Sequence, residues 1–98
     1  MKFSFKIFKY GKDTLLAISD FSILGKTFED GDMQLNVSRD FYFEKTCDEK
    51  SIKRLIESAT IVNAVGKNII NLMIKEKMIK KDDILEICGV PHAQIITI

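Results

Sequence analysis

Apolar and polar residues alternate along the first part of the chain, and this pattern predicts strands that bury one face. Apolar positions recur in steps of two from Phe3 to Ile7, and the phase slips at Phe8, so we expect the first strand to end or bulge there. A turn signal at residues 11–13 precedes a short apolar run over residues 14–18. The two apolar segments together predict a hairpin.

Two shorter strands are predicted next. Residues 26–28 predict a short strand, and Asp30-Gly31-Asp32 has the composition of a hairpin turn. Apolar residues then alternate with polar residues over residues 33–37, which predicts a half-buried strand. The aromatic run Phe41-Tyr42-Phe43 ends this sheet region.

Helical spacing replaces the alternation in the second half of the chain. Thr46-Cys47-Asp48-Glu49 has the pattern of a capping box, and the apolar positions over residues 52–59 predict a helix of about three turns. A second apolar stripe over residues 61–73 predicts another helix, buried on more than one side. Gly66 lies inside this predicted helix at a cost of about 1 kcal/mol, so we expect close backbone contact there.

The C-terminal part predicts two more strands. Residues 84–87 form one apolar run, Gly89 and Pro91 interrupt it, and Ile95, Ile96 and Ile98 form the last strand. The order of strands and helices predicts a single α+β domain over residues 1–98. We expect two layers, with one mixed, mostly antiparallel sheet and two helices packed on one of its faces.

Composition narrows the classes of function. The chain has 98 residues, and its 15 Lys and Arg residues, of which only Arg39 and Arg54 are arginines, nearly balance 14 Asp and Glu. Such a balance creates no global field that would attract nucleic acid or anionic lipid, and the lysine bias disfavours sequence-specific base reading by arginine. No leader peptide or membrane-spanning segment is predicted, so we expect a cytoplasmic protein with free thiols.

His92 is the single histidine and therefore the candidate catalytic residue. Its side chain titrates near neutral pH, and the fixed backbone of Pro91 before it would help to orient the ring. A small enzyme would use His92 as general acid or base and Lys26 as an anion-binding group. The alternative is a structural histidine that bonds a neighbouring segment.

Two other kinds of site are disfavoured. Cys47, Cys88 and His92 are too few for a structural zinc site with four ligands, so no metal or cofactor is predicted. Gly25-Lys26-Thr27 looks like the end of a phosphate-binding loop, but Asp20 stands where that loop needs a glycine. The residues that follow also predict no helix whose N-terminus could hold a phosphate.

The outer face of the first predicted strand carries Lys2, Ser4 and Lys6, and with Lys9 and Tyr10 nearby it mixes cations with an aromatic ring. RNA-binding sheets combine such residues, because rings stack on bases and cations contact phosphates. Phe3 and Phe5 are predicted on the opposite face, however, so an ordinary solvated face is favoured. A polar line at Asn63, Lys67 and Asn71 of the predicted second helix could likewise face solvent, a partner or the C-terminal loop.

Three parts of the chain together resemble the archaeal domain-of-unknown-function 424 family. They are Leu24-Gly25-Lys26-Thr27-Phe28 with the following Gly31-Asp32, residues 63–66, and Gly89-Val90-Pro91-His92-Ala93-Gln94. The last run is the most specific. The resemblance implies a short archaeal, cytoplasmic protein and brings no established activity or catalytic residue. A link to RNA or to translation is a hypothesis that accompanies it.

Uncommon polar and backbone-special residues concentrate in two short predicted loops, and binding sites tend to lie in loops. The favoured hypothesis is a non-catalytic module that binds a protein or RNA partner, associated with translation, through the loop predicted at residues 89–94 and the turn at Gly25-Lys26. The predicted binding residues are Gly25, Lys26, Asn63, Lys67, Gly89, Pro91, His92 and Gln94. A homodimer that closes through the terminal strand, residues 94–98, is a further hypothesis.

Overall fold

The computed structural model describes residues 2–97, which contain eight strands and three α-helices. The strands are β1 (Phe3–Tyr10), β2 (Asp13–Asp20), β3 (Thr27–Asp30), β4 (Met33–Asn36), β5 (Lys45–Cys47), β6 (Ile61–Val65), β7 (Ile84–Ile87) and β8 (Val90–Ile96). The helices are α1 (Arg39–Tyr42), α2 (Glu49–Ser58) and α3 (Lys67–Lys75). Short 3-10 turns at Phe21–Ile23 and Lys81–Asp83 lead into β3 and β7. No helix within residues 2–97 is long and apolar enough to cross a membrane.

Six strands form the main sheet in the order β5-β1-β2-β6-β8-β7, and β3 pairs with β4 in a separate small sheet. Within the main sheet only the β2–β6 pair is parallel. The predicted α+β class and the mixed, mostly antiparallel sheet are therefore confirmed. Ile98, which the sequence predicts in the last strand, lies outside the described residues.

Both faces of the sheet carry a hydrophobic core. Leu16 and Ile18 of β2 pack with α2 and α3 in the larger cluster, as predicted for a face covered by two helices. Ala17, which points the other way in the pleated strand, belongs to a second cluster with Leu35 of β4 and Tyr42 of α1. The β3–β4 hairpin and α1 therefore cover part of the face that a two-layer arrangement leaves bare.

The first strand contains no bulge. Its register with β2 runs without interruption from Phe3↔Asp20 to Tyr10↔Asp13, so the predicted phase slip at Phe8 is wrong. Phe8 and Tyr10 lie on the same face as Lys6 because side chains of a strand alternate. An apolar residue fits that face because Phe8 packs against the second cluster.

The predicted second helix is wrong in its first half. Ile61–Val65 is strand β6, and helix α3 begins only at Lys67. The strand is flanked by β2 and β8 and is covered on both faces near its end, so apolar residues follow one another and mimic a helical stripe. Gly66 is the N-cap of α3, with a φ of 124°, and not an interior helical residue.

Helix α2 is capped two residues later than predicted. Thr46 lies in β5, and the Asp48 carboxylate accepts the backbone N–H of Ser51 at 2.9 Å. The predicted capping box at Thr46 is therefore wrong. Both residue types can cap a helix, and the pairing of β5 with β1 leaves Thr46 in the extended strand.

The predicted interruption at Gly89 is confirmed, but the predicted interruption at Pro91 and the loop at residues 89–94 are wrong. Cys88 and Gly89, with φ of 56° and 76°, form a two-residue turn between β7 and β8, and Pro91 lies within β8. The pair beside the turn, Ile87↔Val90, is of the hydrogen-bonded kind, and the following pair, Glu86↔Pro91, is not. The missing N–H of Pro91 therefore costs no bond to β7.

Candidate functional site

The half of the sheet face that α1 and the β3–β4 hairpin leave uncovered gathers aromatic, apolar and polar side chains. We call it the open sheet face. Strand registers and alternation assign to it Lys6, Phe8 and Tyr10 of β1, Leu15 of β2, Ile61 and Asn63 of β6, and His92, Gln94 and Ile96 of β8. The sheet thus joins residues from four strands that are distant along the chain.

A ladder of three aromatic rings runs along one side of this face. Phe41 of α1 stacks on Phe8 at 5.3 Å between ring centroids, and Phe8 lies parallel to Tyr10 at 6.4 Å and 7°. Tyr42 meets Phe41 edge-on at 4.8 Å. The ladder ends in Tyr10, whose side chain is 61% exposed. The outermost ring of the aromatic ladder is therefore open to a partner.

One lysine of the open sheet face contacts the aromatic ladder. The Lys6 ammonium lies 5.1 Å from the Phe8 ring centroid and donates a 2.9 Å hydrogen bond to the backbone oxygen of Asp40. Residues 1–19 contain four lysines and one acid, Asp13, which is a local charge of +3 in a chain whose net charge is +1. The near-neutral total therefore hides a basic segment.

An apolar row crosses the open sheet face beside the ladder. The registers align Phe8 with Leu15, Leu15 with Ile61, and Ile61 with Ile96. Leu15 and Ile61 are half-buried and belong to neither hydrophobic cluster described for residues 2–97, and Ile96 is 64% exposed. The row offers apolar contact to a flat ligand.

Asn63 is the centre of a polar network on the same face. Its Oδ1 atom accepts a hydrogen bond from Tyr42 Oη at 2.7 Å and lies 3.0 Å from His92 Nε2. Burial raises the pKa of Tyr42 to about 12 and lowers the pKa of His92, so at neutral pH the phenol keeps its proton and the imidazole is neutral. An amide oxygen only accepts, so we assign the imidazole proton to Nε2, which leaves Nδ1 as an acceptor.

Gln94 lies directly opposite Asn63 in the β6–β8 register. Its side chain is exposed and makes no hydrogen bond within residues 2–97. Of the residues predicted from sequence, the structure therefore brings together Asn63, His92 and Gln94. Tyr42, Phe8 and the apolar row were missed as site residues, although unbroken alternation from Lys6 to Tyr10 could have indicated Phe8.

The other predicted residues lie elsewhere. Lys67 and Gly89 line a cleft of about 470 Å³, and Lys67 and Pro91 line a neighbouring cleft of about 490 Å³. Asn63 and Lys67 do not share a helical stripe, because Asn63 is in β6 and Lys67 begins α3. The cleft of about 470 Å³ lies where the parallel strands β2 and β6 end.

The N-terminus of α3 beside that cleft is occupied by Asp20. This side chain is 4% exposed and accepts the backbone N–H groups of Asn68 and Ile69, each at 2.8 Å. Burial raises the pKa of Asp20, and the two N–H bonds oppose that rise. The helix end is therefore already satisfied by the protein itself.

Gly25 and Lys26 have a structural role that the geometry explains. Gly25 has a φ of 86° and donates its N–H to the Val37 carbonyl at 2.7 Å, and Lys26 accepts from the Val37 N–H at 2.9 Å. These bonds join the segment before β3 to the end of β4.

Lys26 is exposed, and His92 lines none of the three clefts described within residues 2–97. The enzyme hypothesis, which needs both residues in one pocket, gains no support.

Two further predictions concern partners and metals. Within β8, residues 90 and 91 pair only with β7, residues 92 and 93 pair with strands on both sides, and residues 94–96 pair only with β6, so a dimer through this edge stays a prediction. No group of three His, Cys, Asp or Glu side chains suited to a metal ion occurs within residues 2–97.

Comparison with known proteins gives a family and a fold. The family model described as "Protein of unknown function (DUF424)" matches residues 8–98. A crystal structure described as that of an uncharacterized conserved protein from Methanopyrus kandleri is 23% identical, covers 100% of this chain and 95% of its own, and superposes with a TM-score of 0.79. No curated protein matches the chain.

Proposed function

This chain belongs to the DUF424 family, and we propose that it is a non-catalytic binding module that takes single-stranded RNA on its open sheet face. The observation that carries the proposal is the aromatic ladder of Phe41, Phe8 and Tyr10, whose outermost ring is 61% exposed. A base stacked on Tyr10 would add a further ring to this ladder. Stacking of this kind contributes about 1–3 kcal/mol per base and accepts any base.

Charge supports a modest nucleic-acid affinity. Lys6 contacts the ladder, and residues 1–19, which contain Lys6, carry a local charge of +3. Contact with about three phosphates would make the logarithm of the binding constant fall with a slope of about −2 against the logarithm of salt concentration. The nearly neutral remainder of the chain adds little to that slope.

The polar groups of the open sheet face favour RNA over a protein partner. A protein interface of ordinary size needs about 800 Å² per partner with an apolar centre. Here a single apolar row lies between the aromatic ladder and the side chains of Asn63, His92 and Gln94. Rings beside hydrogen-bonding groups and lysines are the combination that binds unpaired bases.

The test is fluorescence anisotropy with labelled octauridylate at about 20 mM and about 200 mM salt. We expect salt-dependent binding that Tyr10→Ala weakens roughly 5- to 140-fold, the equivalent of one lost stacking contact. Phe21→Ala is the matched control, because Phe21 is also a partly exposed ring (38%) but lies outside the open sheet face.

Absence of binding at low salt, or equal binding by wild type and Tyr10→Ala, contradicts the proposal. If RNA does not bind, and wild type and Phe21→Ala capture a host protein that Tyr10→Ala does not capture, the open sheet face binds protein instead. A DNA octamer of matching sequence distinguishes binding of RNA from binding of any single strand.

A further inference from the structure

We infer that Asn63, His92 and Gln94 form a reading row that hydrogen-bonds the edges of unpaired bases, so that the ligand is a single strand with a preferred base. This inference rests on the proposed function and makes it more specific. Stacking on Tyr10 alone is indifferent to sequence. Base preference requires hydrogen-bonding groups at fixed positions beside the stack.

The reading row is accessible to a ligand. Asn63 Nδ2 and His92 Nδ1 have no hydrogen-bond partner within residues 2–97. No buried side-chain nitrogen or oxygen in that part of the chain lacks a partner, so these two atoms reach solvent. The Gln94 side chain is exposed beside them. The unused polar atoms of the network are therefore not buried.

The network also determines what each group offers. Asn63 Oδ1 already receives hydrogen bonds from Tyr42 and His92, so Asn63 presents its two N–H hydrogens outward. The proton on His92 Nε2 leaves Nδ1 as a bare acceptor. Gln94 provides one donor group and one acceptor. Asn63 and His92 therefore present a donor and an acceptor in a fixed order.

This pattern fits a base and not a phosphate. Phosphate oxygens only accept, so a phosphate would place its lone pairs against the bare His92 Nδ1. Each base edge combines acceptors with N–H donors, in an order that differs between bases. Since Asn63 is held by two bonds, it cannot reverse its amide to suit every base without losing both. In a duplex these edges are paired, which restricts the ligand to unpaired strands.

The experiment measures anisotropy with octa-adenylate, octacytidylate and octauridylate, and with a duplex that contains one of these strands. We expect wild-type affinities to differ by about tenfold or more between the best and the worst octamer. Gln94→Ala and His92→Phe should reduce this spread to about twofold. Tyr10→Ala should weaken all three octamers and keep their order.

Gln34→Ala is the matched control for Gln94→Ala, because both glutamines are exposed and Gln34 lies in β4, outside the open sheet face. Three results would overturn the reading row and leave the proposed function intact. They are equal wild-type affinities for the octamers, duplex binding as tight as single-strand binding, and an unchanged difference between the best and the worst octamer in both Gln94→Ala and His92→Phe. Failure of wild type to bind any octamer overturns both. Gln94→Ala decides the case if His92→Phe does not fold.

Discussion

Gly66 and Asp20 are packed so closely that a Cβ atom on Gly66 would lie 2.6 Å from Asp20 Oδ2. Gly66 also has a φ of 124°, a conformation that L-residues rarely adopt. The glycine thus allows the carboxylate to reach the first N–H groups of α3. The contact between Gly66 and Asp20 thus joins the ends of the parallel strands β2 and β6 to helix α3.

Gly66→Ala should therefore destabilise the protein by about 2–4 kcal/mol, through backbone strain and displacement of the Asp20 cap. Urea denaturation measures the free energy of unfolding. Gly31→Ala is the control, because Gly31 also has a positive φ, 63°, but nothing lies near its Cβ position. It should cost only about 1–2 kcal/mol, and equal losses in the two variants would show that contact with Asp20 is unimportant.

Tyr42→Phe should reduce the free energy of unfolding by about 1 kcal/mol, because it removes the hydrogen bond to Asn63 and keeps the ring. Tyr10→Phe serves as the comparison. The Tyr10 hydroxyl makes no hydrogen bond within residues 2–97, so we expect Tyr10→Phe to change the free energy of unfolding by no more than about 0.5 kcal/mol. Tyr10→Phe should also keep RNA binding, since it preserves the stacking surface. A large stability loss in Tyr10→Phe would contradict the assignment of the two rings.

Acid should weaken the fold through His92. Burial lowers the pKa of His92 from its ordinary 6.5, so between the two values the unfolded chain binds more protons than the folded one. The stability contributed by neutral His92 is present above 6.5 and is lost as the pH falls through the folded-state pKa.

Urea denaturation of wild type and His92→Phe at about pH 7.5 and about pH 5.5 tests this, because the histidine contribution is the part that differs between them. We expect wild type to lose more stability than the variant on acidification. The raised pKa of Asp20 favours the folded state on acidification in both proteins, so its contribution cancels in the comparison. Identical pH dependence of the two proteins would contradict the prediction.

The Cys47 thiol should react slowly. Burial and the nearby Asp48 carboxylate raise the pKa of Cys47 to about 11. At about pH 8 the thiolate fraction should be lower than that of a free cysteine by about two orders of magnitude. Alkylation of a Cys88→Ser variant with iodoacetamide, monitored by mass spectrometry, measures the reaction rate of Cys47. The same variant unfolded in urea supplies the unperturbed rate. Equal rates in the two states would be inconsistent with this account.

Local patterns were sufficient for much of the fold. Alternation and turn residues predict the β1–β2 hairpin, β4 and β7, and helical spacing predicts α2. They fail at β6 because its end is covered on both faces, so apolar residues follow one another there, which the sequence alone does not distinguish from a buried helix. They fail at β8 because whether Pro91 interrupts a strand depends on which neighbour would need its N–H.

The candidate site shows a similar limit. Asn63, His92 and Gln94 are predicted individually, as unusual polar residues in otherwise apolar segments. Their assembly depends on the β6–β8 register, which joins residues about thirty positions apart and leaves no local signature. The aromatic ladder depends on α1 packing Phe41 against Phe8. Sequence reasoning could therefore name part of the site without assembling it.

The central claim is that RNA binds the open sheet face, and the most direct measurement is a titration of ¹⁵N-labelled protein with octauridylate, followed by NMR. We expect the backbone signal of Tyr10 and the side-chain amide signals of Asn63 and Gln94 to shift together. Signals of α2 should stay in place, because that helix covers the opposite face. Shifts confined to Lys67 and Gly89 beside the α3 cleft, or no shifts at all, would contradict the account.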